Sequence, residues 1–400
     1  MTNYTTLDNA QALEYVKTQT QLFSDDANLT CYEFGDGNLN LVFRVADQHQ
    51  NSVILKQALP YARCVGQSWP LTLDRARIEA SVLKKHGEIC PDTTVQVLHQ
   101  NNDLAITILE DLGHMQILRS QLCEGKTFDH LASNISHYLA HTSFFTSDFY
   151  LEPQQKKALV SEFTNPELCA ITEGLFFDDP YRVCERNNFA HGLKEQVNKL
   201  HQNHALKLAV AQLKGQFLCS AQALLHGDIH TGSIFVDNKH VKVIDPEFGF
   251  FGPIGFDLGS FIGNLLLNYC AQNARAKALP QRRDIHAYLL KCIQTCVSEF
   301  EQTWLALAQT HTQDLALQTT GYAELFVEQV LREAFGFCGT ELIRRTIGLA
   351  HVADIDGIED EQAKLNAQSQ ALQLGEQLIL QAPHCKSKED LSQLLLSLLL

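Results

Sequence analysis

The feature that most restricts how this chain can fold is a compact acidic motif in its second half. The segment 225–236 places Asp228 in a polar turn, and the segment 243–248 carries Asp245 and Glu247. Short β-branched and aromatic stretches around an Asp-Asn pair separate the two acidic positions, which predicts a tight β-hairpin. The hairpin would fold Asp245 and Glu247 back beside Asp228, so that three carboxylates converge at neighbouring strand ends.

Converging carboxylates restrict the chemistry as well as the fold. They coexist only with a nearby cation or a shared proton, because like charges at short range disfavour ionisation. Carboxylate oxygens suit Mg²⁺, an ion that usually keeps water and substrate phosphates among its ligands. A metal on nucleotide phosphates and an aspartate that orients the attacking hydroxyl together make up the machinery of phosphoryl transfer. The sequence therefore favours phosphoryl transfer that depends on Mg²⁺.

The overall charge and the cysteine content exclude several classes of partner. The 400 residues carry 31 Lys and Arg against 46 Asp and Glu, and this net charge of −15 argues against nucleic acid or an anionic membrane. No apolar run approaches the length of a membrane span, and the first residues do not resemble a secretory signal. Twelve cysteines without a Cys-x-x-Cys pair indicate reduced thiols. We therefore expect a cytoplasmic protein.

Hydrophobic periodicity divides the chain into a strand-rich first part and a helix-rich remainder. Residues 30–110 predict a largely antiparallel five-stranded sheet with one helix inserted after the third strand. The predicted strands are two within 31–45, around a Gly-Asp-Gly turn, and one each at 52–56, 94–98 and 104–109, with the helix at 74–85. From about residue 125 onward helical patterns dominate, so the fold class is α+β. The apolar C-terminal stretch 391–400 is expected to dock on the core.

The acidic region resembles part of a known fold. His226-Gly227-Asp228 resembles the catalytic-loop triplet of the protein-kinase-like fold, in the form that aminoglycoside and choline kinases use. The longer strings are more specific and resemble the methylthioribose kinase family. They lie at 226–234, 245–248 and 252–259, with further similar blocks at 36–43, 68–75, 110–112 and 343–354. The resemblance thus covers most of the chain.

Membership of that family implies a two-lobe protein-kinase-like fold with ATP bound between the lobes. Residues 1–112 would form an N-lobe, the antiparallel five-stranded sheet with its helix, and residues 113–400 a mainly helical C-lobe. The implied reaction transfers the γ-phosphoryl of ATP to the anomeric hydroxyl of S-methyl-5-thioribose, a step of methionine salvage. The resemblance also implies a homodimer.

The resemblance further implies roles for individual residues. Asp228 is expected to be the catalytic base, or the group that holds the substrate hydroxyl, and Arg344 and Arg345 are expected to contact the acceptor. Asp245 and Glu247 would hold the metal, and the connector between the lobes would offer backbone groups to the adenine. The expected ATP contacts are Asn40, Lys56, Glu110, Asp111, Leu112, Asp245, Pro246 and Glu247.

Several of these residues have an ordinary structural alternative. Lys56 could be a solvated lysine at a strand end; in the functional case its partner is Glu79, with Glu88 as the other acidic residue nearby. Adjacent arginines in a helix are most often surface charges, which would remove Arg344 and Arg345 from any acceptor site. The glycine turn at 35–40 could be a plain hairpin turn, and the connector at 110–112 merely a connector.

Three further positions complete the expectation. Ser233 stands where the wider fold has a metal-binding asparagine, so Glu247 is expected to take that duty. Asp257 could cap the helix that it begins, or accept N–H groups from the catalytic loop. Trp69 could lie near the substrate or only cover the sheet.

Two other functions fit the same motifs. A small-molecule kinase of this fold could act on choline, homoserine or an aminoglycoside. A choline site would need an aromatic cage, and paired arginines would repel a cationic aminoglycoside. A catalytically inactive nucleotide-binding module belongs to a different class, and the presence of Lys56, Asp228 and Asp245 disfavours it.

Overall fold

The computed structural model describes residues 4–34, 39–61 and 69–399. The first part of the chain forms the predicted five-stranded sheet with a helix after the third strand, and a further helix precedes the sheet. The strands are β1 (Thr30–Phe34), β2 (Asn40–Ala46), β3 (Ser52–Ala58), β4 (Val97–Asn101) and β5 (Ile106–Glu110), and the helices are α1 (Asn9–Gln19) and α2 (Asp74–Ile89). The glycine turn 35–38 and Ser68 lie outside the described residues, so the phosphate-covering role of that turn stays a prediction.

The sheet is antiparallel throughout, in the order β1-β2-β3-β5-β4. One face buries Phe43, Leu55 and Ile106 against α1, where the Asp8 side chain and Gln11 form a capping box. Because successive side chains of a strand point to opposite faces, Lys56 points away from this core. Several predicted boundaries were wrong. Strand β4 spans Val97–Asn101 rather than 94–98, and β5 begins at Ile106 rather than at 104. Strand β3 continues past Lys56 to Ala58, and α2 continues past 85 to Ile89.

The remainder of the chain is mainly helical, which confirms the α+β fold class. Its helices are α3 (Leu118–Cys123), α4 (Leu131–Phe145), α5 (Pro153–Glu162), α6 (Pro166–Thr172), α7 (Lys194–Gln202), α8 (His204–Cys219), α9 (Ile254–Arg275), α10 (Leu279–His311), α11 (Tyr322–Ile347), α12 (Ala353–Asp356), α13 (Glu361–Gln381) and α14 (Lys388–Leu399). A single π-helical turn, Glu173–Asp178, follows α6 directly. The division at residue 112 stays a prediction.

Helices α9 and α11 form the centre of the helical lobe and approach each other unusually closely. Gly255, Gly259 and Gly263 recur at every fourth position of α9 and face α11. A Cβ atom added to Gly259 would lie 2.2 Å from the carbonyl oxygen of Ala334, so no side chain fits there. The close approach buries nearly all of α9 and the second half of α11, and it brings the end of α11 beside the acidic motif.

Short strands hold the acidic motif. They are β6 (Gln116–Ile117), β7 (Ala223–Leu224), β8 (Ile234–Val236), β9 (Val241–Val243) and β10 (Phe251–Gly252). Strands β8 and β9 form the predicted hairpin, with β6 beside β8, while β7 pairs with β10. The hairpin therefore connects the turn that carries Asp228 to the turn that carries Asp245.

The apolar C-terminal stretch forms part of α14 and docks on the helical core, as expected. Leu391 and Leu395 of α14 are buried in the same cluster as residues of α9, α10 and α11. None of the helices in the described parts of the chain combines the length and the apolar character that crossing a membrane requires.

Candidate active site

A cavity of about 720 Å³ lies between the sheet and the helical lobe, and it collects most of the residues singled out in the sequence. Predicted residues that line it are Asn40, Lys56, Asp228, Asp245, Glu247, Arg344 and Arg345. Charged residues in this lining and directly behind it form two groups. We call Lys56, Glu79, Asp245 and Glu247 the lysine wall, and Arg344, Arg345, Glu341 and Asp228 the arginine wall.

Lys56 is the centre of the lysine wall. It is 8% exposed, and its Nζ lies 2.6 Å from Glu79 Oε1 and 2.5 Å from Asp245 Oδ1. Burial opposes the charge of Lys56, but Asp245, Glu79 and Glu247 outweigh it and raise the pKa of the ammonium above its usual range. The solvated alternative for Lys56 is therefore wrong. Its α2 partner is Glu79, because Glu88 instead pairs with Lys85 at the surface.

A buried arginine that sequence reasoning missed supports the lysine wall. Arg75, in the first turn of α2, is fully buried and donates to Glu247 Oε2 at 3.2 Å and to Asn40 Oδ1 at 2.8 Å. Its remaining donors reach the backbone carbonyls of Leu39, Leu59 and Thr72. The only sequence signal was its place in the family-like block 68–75. Arg75 therefore fixes Asn40 and Glu247 relative to each other.

Asp245 and Glu247 fit a magnesium ion shared with a nucleotide. The Asp245 side chain is 42% exposed, and only its Oδ1 is engaged by Lys56, so its other oxygen is accessible from the cavity. Asp245 also has a positive φ of 65°. The described residues contain no cluster of three or more His, Cys, Asp or Glu that could hold a metal ion. Mg²⁺ in proteins usually binds one or two carboxylates and completes its coordination shell with phosphate oxygens and water, and Asp245 and Glu247 can supply the two carboxylates.

The catalytic-loop triplet is held by a buried aspartate. Asp257, in the first turn of α9, accepts the backbone N–H groups of His226 at 2.7 Å and Gly227 at 3.0 Å. This confirms the loop-anchoring alternative, since the N-cap of α9 is Pro253. Gly227 has φ 82°, and an added Cβ would lie 2.2 Å from the Phe248 carbonyl oxygen. Only glycine fits this position without strain.

Asp228 lies opposite the paired arginines. Its Oδ1 accepts from Arg344 Nη2 at 3.3 Å and from Arg345 Nη2 at 3.4 Å. Both arginines are nine-tenths buried or more, so the surface-charge alternative is wrong. Burial and the neighbouring Arg345 lower the pKa of Arg344 to about 10, whereas for Arg345 the carboxylates of Glu341 and Asp228 outweigh burial and raise the pKa. Both guanidiniums stay charged at neutral pH.

Ser233 and His230 shape the loop after Asp228. Ser233 Oγ accepts from the His230 backbone N–H at 3.0 Å and donates to the His230 carbonyl at 2.9 Å, which closes the turn. Burial and the nearby arginines lower the pKa of His230 well below its usual value, so the ring is neutral. Its Nδ1 accepts from the Gly232 N–H at 3.0 Å, which leaves the Nε2 proton to face Asp228.

The connector residues lie outside the cavity lining. Asp111 accepts from Arg44 Nε at 2.5 Å and from Ser52 Oγ at 2.6 Å, and Glu110 pairs with Lys242 at 3.1 Å. Leu112 is buried. The side chains of this connector are therefore engaged within the protein, and its contact with adenine stays a prediction that concerns backbone groups.

The rest of the cavity lining is largely apolar. Trp69, Leu168, Ile171, Leu175 and Leu349 all contribute to it, which brings Trp69 to the cavity as one of its two alternatives proposed. Arg186 lies over the Trp69 ring, 5.9 Å from its centroid. The cavity thus offers charged groups to the polar part of a ligand and an apolar surface to its apolar part.

Relatives of known activity match this chain over nearly its whole length. The methylthioribose kinase of Yersinia pseudotuberculosis is 54% identical over 388 residues, covering 96% of this chain and 94% of that protein. The enzyme of Yersinia enterocolitica is 54% identical and covers 98% of both chains. The chain belongs to the methylthioribose kinase family. A profile described as "Phosphotransferase enzyme family" also matches residues 164–290, a stretch of this family member that contains Asp228, Asp245 and Asp257.

Solved structures resemble this methylthioribose kinase family member more distantly. Choline kinase from Cryptosporidium parvum has 12% identity and a TM-score of 0.48, with 89% of this chain and 92% of that chain covered. A macrolide 2'-phosphotransferase from Brachybacterium faecium has 12% identity and a TM-score of 0.39, with 91% and 97% covered. Family membership and the observed sheet-and-helix architecture together confirm the two-lobe kinase-like fold.

Proposed function

We propose that this chain transfers the γ-phosphoryl group of ATP to the anomeric hydroxyl of S-methyl-5-thioribose and forms the 1-phosphate. Near full-length relatives named as methylthioribose kinases support the reaction. The single observation that carries it within this chain is the cavity that brings Lys56, Asp228 and Asp245 together. These are the groups that phosphoryl transfer requires for phosphates, acceptor and metal.

The lysine wall would receive the nucleotide. Lys56 would exchange part of its present pairing with Asp245 for the α- and β-phosphate oxygens, while Glu79 keeps the ammonium oriented at 2.6 Å. Asp245 and Glu247 would hold Mg²⁺, which supplies neutralisation of the phosphate charge when bound. Asn40, held by Arg75, would contact the phosphates from the sheet side.

The arginine wall would receive the acceptor. Asp228 would accept a hydrogen bond from the anomeric hydroxyl and orient its oxygen towards the γ-phosphorus. Its carboxylate would take that proton as the new oxygen–phosphorus bond forms and the bond to ADP breaks. Arg344 and Arg345 would stabilise the negative charge that develops on the transferring phosphoryl group. Both guanidiniums are buried and already directed towards Asp228.

The apolar lining supports an acceptor that carries a small apolar group. Leu168, Ile171 and Leu175 line the cavity together with the polar groups around Asp228. Transfer of a thioether methyl group from water to an apolar surface is favourable, by about 0.8 kcal/mol per buried methylene-sized group. A cationic acceptor such as an aminoglycoside would instead meet Arg344 and Arg345.

The test is coupled ADP release from Mg·ATP with methylthioribose, ribose, choline, homoserine and kanamycin as acceptors. Turnover with methylthioribose that exceeds every other acceptor by about a hundredfold or more supports the proposal. Preferred turnover of another acceptor would show that the chain is a kinase with a different substrate. ATP binding without turnover of any acceptor would favour a binding module instead.

We further propose a homodimer in the cytoplasm. None of the cysteines in the described ranges forms a disulfide, which supports a reducing compartment. The family resemblance supports the dimer, and sedimentation equilibrium at micromolar concentration tests it. A monomeric mass over the whole concentration range would contradict this part of the proposal.

A further inference from the structure

One member of the arginine wall, a buried glutamate behind the two arginines, has no role in the mechanism described above. Glu341, one turn before the arginine pair on α11, is completely buried. Its Oε1 accepts from Arg345 Nε at 2.9 Å, and its Oε2 accepts from Arg344 Nε. One carboxylate therefore holds the Nε groups of both arginines, which leaves their Nη2 groups to reach Asp228.

The charges of the arginine wall balance only because of this residue. Arg344 and Arg345 contribute two positive charges, and Asp228 contributes one negative charge. Two adjacent guanidiniums in a dry site would repel each other, and each would rotate to find separate partners. Burial opposes the charge of Glu341, but the two arginines outweigh it and lower its pKa, so Glu341 supplies the second negative charge.

The fold makes specific room for Glu341. A Cβ added to Gly263 of α9 would lie 2.9 Å from the Glu341 Cγ atom. The Glu341 side chain therefore occupies the space that a side chain at position 263 would need. Asn264, the next residue of α9, donates to Glu341 Oε1 at 2.9 Å and accepts from Arg119 at 2.7 Å. The carboxylate is thus fixed by a second helix as well as by the arginines.

Arg344 has a second support from the π-helical turn. The Phe176 ring lies beneath the Arg344 guanidinium, with the carbon of the guanidinium 3.6 Å from the ring centroid. Phe176 is buried in an aromatic cluster with Phe177 and Phe256, so the ring has a fixed orientation. A π-helical turn inserts one residue into a helix and often marks a functional site.

We propose that Glu341 and Phe176 are positioning residues that hold the Arg344–Arg345 pair against Asp228 in the geometry that phosphoryl transfer needs. The inference rests on the proposed function, because it assigns the pair to the acceptor and the transferring group. Neither residue lines the cavity, so both act through the arginines. Without them the guanidiniums lose their common orientation while the lysine wall keeps its own contacts.

The decisive variant is Glu341→Gln, which keeps the size of the side chain but removes its charge. We expect kcat with the acceptor to fall on the order of a hundredfold, the cost of misplacing an oriented donor, and the acceptor KM to rise. The KM for Mg·ATP should change less than about twofold, because Lys56 and Asp245 are untouched. Steady-state kinetics with each substrate varied separately measure this split.

The matched control is Glu333→Gln, which removes a buried carboxylate from the same helix two turns earlier. Glu333 accepts from Gln329 at 2.8 Å and is remote from the arginine pair. This control should retain kcat within about twofold. Equal kinetic losses in the two variants would overturn the proposal, since Glu341 would then be only structural.

Phe176→Leu decides the question if Glu341→Gln does not fold. It removes the ring face beneath Arg344 without changing a charge, and we expect a three- to tenfold loss in kcat/KM for the acceptor, on the order of one cation–π contact. Phe217→Leu, from the same aromatic cluster, is its control and should keep wild-type kinetics. Indistinguishable kinetics of the two leucine variants would contradict the positioning role of Phe176.

The wild-type chain separates this inference from the proposed function. If the wild-type chain does not phosphorylate methylthioribose, the proposed function fails, and the same variants are then compared on the acceptor that it does phosphorylate. If it does phosphorylate methylthioribose but Glu341→Gln matches its kcat, only the positioning inference fails.

Discussion

The lysine wall and the arginine wall face each other across one cavity, yet they are assembled in opposite ways. The lysine wall collects Lys56 from β3, Glu79 from α2 and two carboxylates from the loop after β9. The arginine wall takes three of its four charged groups from a single helix, α11. One wall therefore depends on how the sheet packs on the helical lobe, whereas the other is fixed within that lobe.

The two walls also differ in whether their charges balance before a ligand binds. The lysine wall has the ammonium of Lys56, with the Arg75 guanidinium behind it, among three carboxylates, so it carries one excess negative charge until a metal or another cation arrives. The arginine wall has two guanidiniums and two carboxylates, so it is balanced in the absence of any ligand. We infer that the lysine wall completes its geometry when Mg·ATP binds and that the arginine wall is ready beforehand.

The largest expected effect comes from Asp228, where we propose that the acceptor meets the transferring phosphoryl group. Asp228→Ala would remove the group proposed to orient the attacking hydroxyl, and we expect kcat to fall by about a thousandfold or more. ATP affinity, measured by calorimetry, should stay near that of the wild type because Lys56 is unaffected. Asp284→Ala changes an exposed aspartate of α10 and serves as control. An Asp228→Ala variant within tenfold of wild-type turnover would refute the assignment.

The next effect tests the lysine wall alone. Lys56→Met leaves Glu79 and Asp245 without their buried cation, and we expect kcat/KM for ATP to fall on the order of a hundredfold. The acceptor KM should change little, because no residue of the arginine wall contacts Lys56. Lys85→Met removes a surface ion pair and is the control. A loss that falls mainly on the acceptor KM would mean that the walls are not independent.

A smaller effect is expected for a change within the arginine wall. Arg344→Ala removes one of the two donors to Asp228 and should raise the acceptor KM about tenfold, since Arg345 retains its own bond at 3.4 Å. The KM for ATP should stay within about twofold of wild type. Initial rates with each substrate varied at saturation of the other measure both constants. A larger rise in the ATP KM would move Arg344 to the lysine wall.

A further expected effect, on stability rather than on kinetics, concerns a contact between α2 and the helical lobe. His86 of α2 donates to the Leu224 carbonyl at 3.2 Å and accepts from Tyr138 Oη at 2.8 Å. Burial, with a smaller effect of the nearby His226, lowers the pKa of His86 from 6.5 to about 3. The unfolded chain binds this proton first, so the stability from neutral His86 is present above 6.5 and declines as the pH falls towards about 3.

Urea unfolding measures this dependence. Between about pH 7 and about pH 5 the contribution of His86 should fall by about 2 kcal/mol. The stability difference between the wild type and His86→Gln should therefore shrink over this interval. A difference that stays constant with pH would show that His86 takes up a proton without loss of the folded contact.

The sequence predicted those parts of the site that linear motifs encode. Asp228 and Asp245 lie on either side of a hairpin whose two strands and turn are local, so their convergence followed from the pattern. The pairing of Lys56 with Glu79 also followed, since it joins a strand to the helix after it. The strand boundary at Lys56 did not, because Gln57 and Ala58 carry no signal that distinguishes a strand residue from a turn residue.

The missed residues depend on packing between distant elements. Arg75 and Glu341 look like ordinary charged helix residues, and nothing local shows that their side chains point inwards. Glu341 becomes buried only because α9 approaches α11 along its glycines, a contact between segments about 80 residues apart. For the same reason Arg344 and Arg345 were as compatible with a surface as with a site.

The backbone at Asp245 has a consequence for how stability and activity are divided. A non-glycine residue with φ 65° occupies the left-handed region, which costs roughly 1 kcal/mol relative to an ordinary conformation. Glycine would adopt this conformation freely, yet it has no carboxylate for Lys56 or for a metal. The strained backbone at this position is thus retained because the position needs a carboxylate, and Asp245→Gly would relieve the strain only by leaving buried Lys56 with one partner fewer.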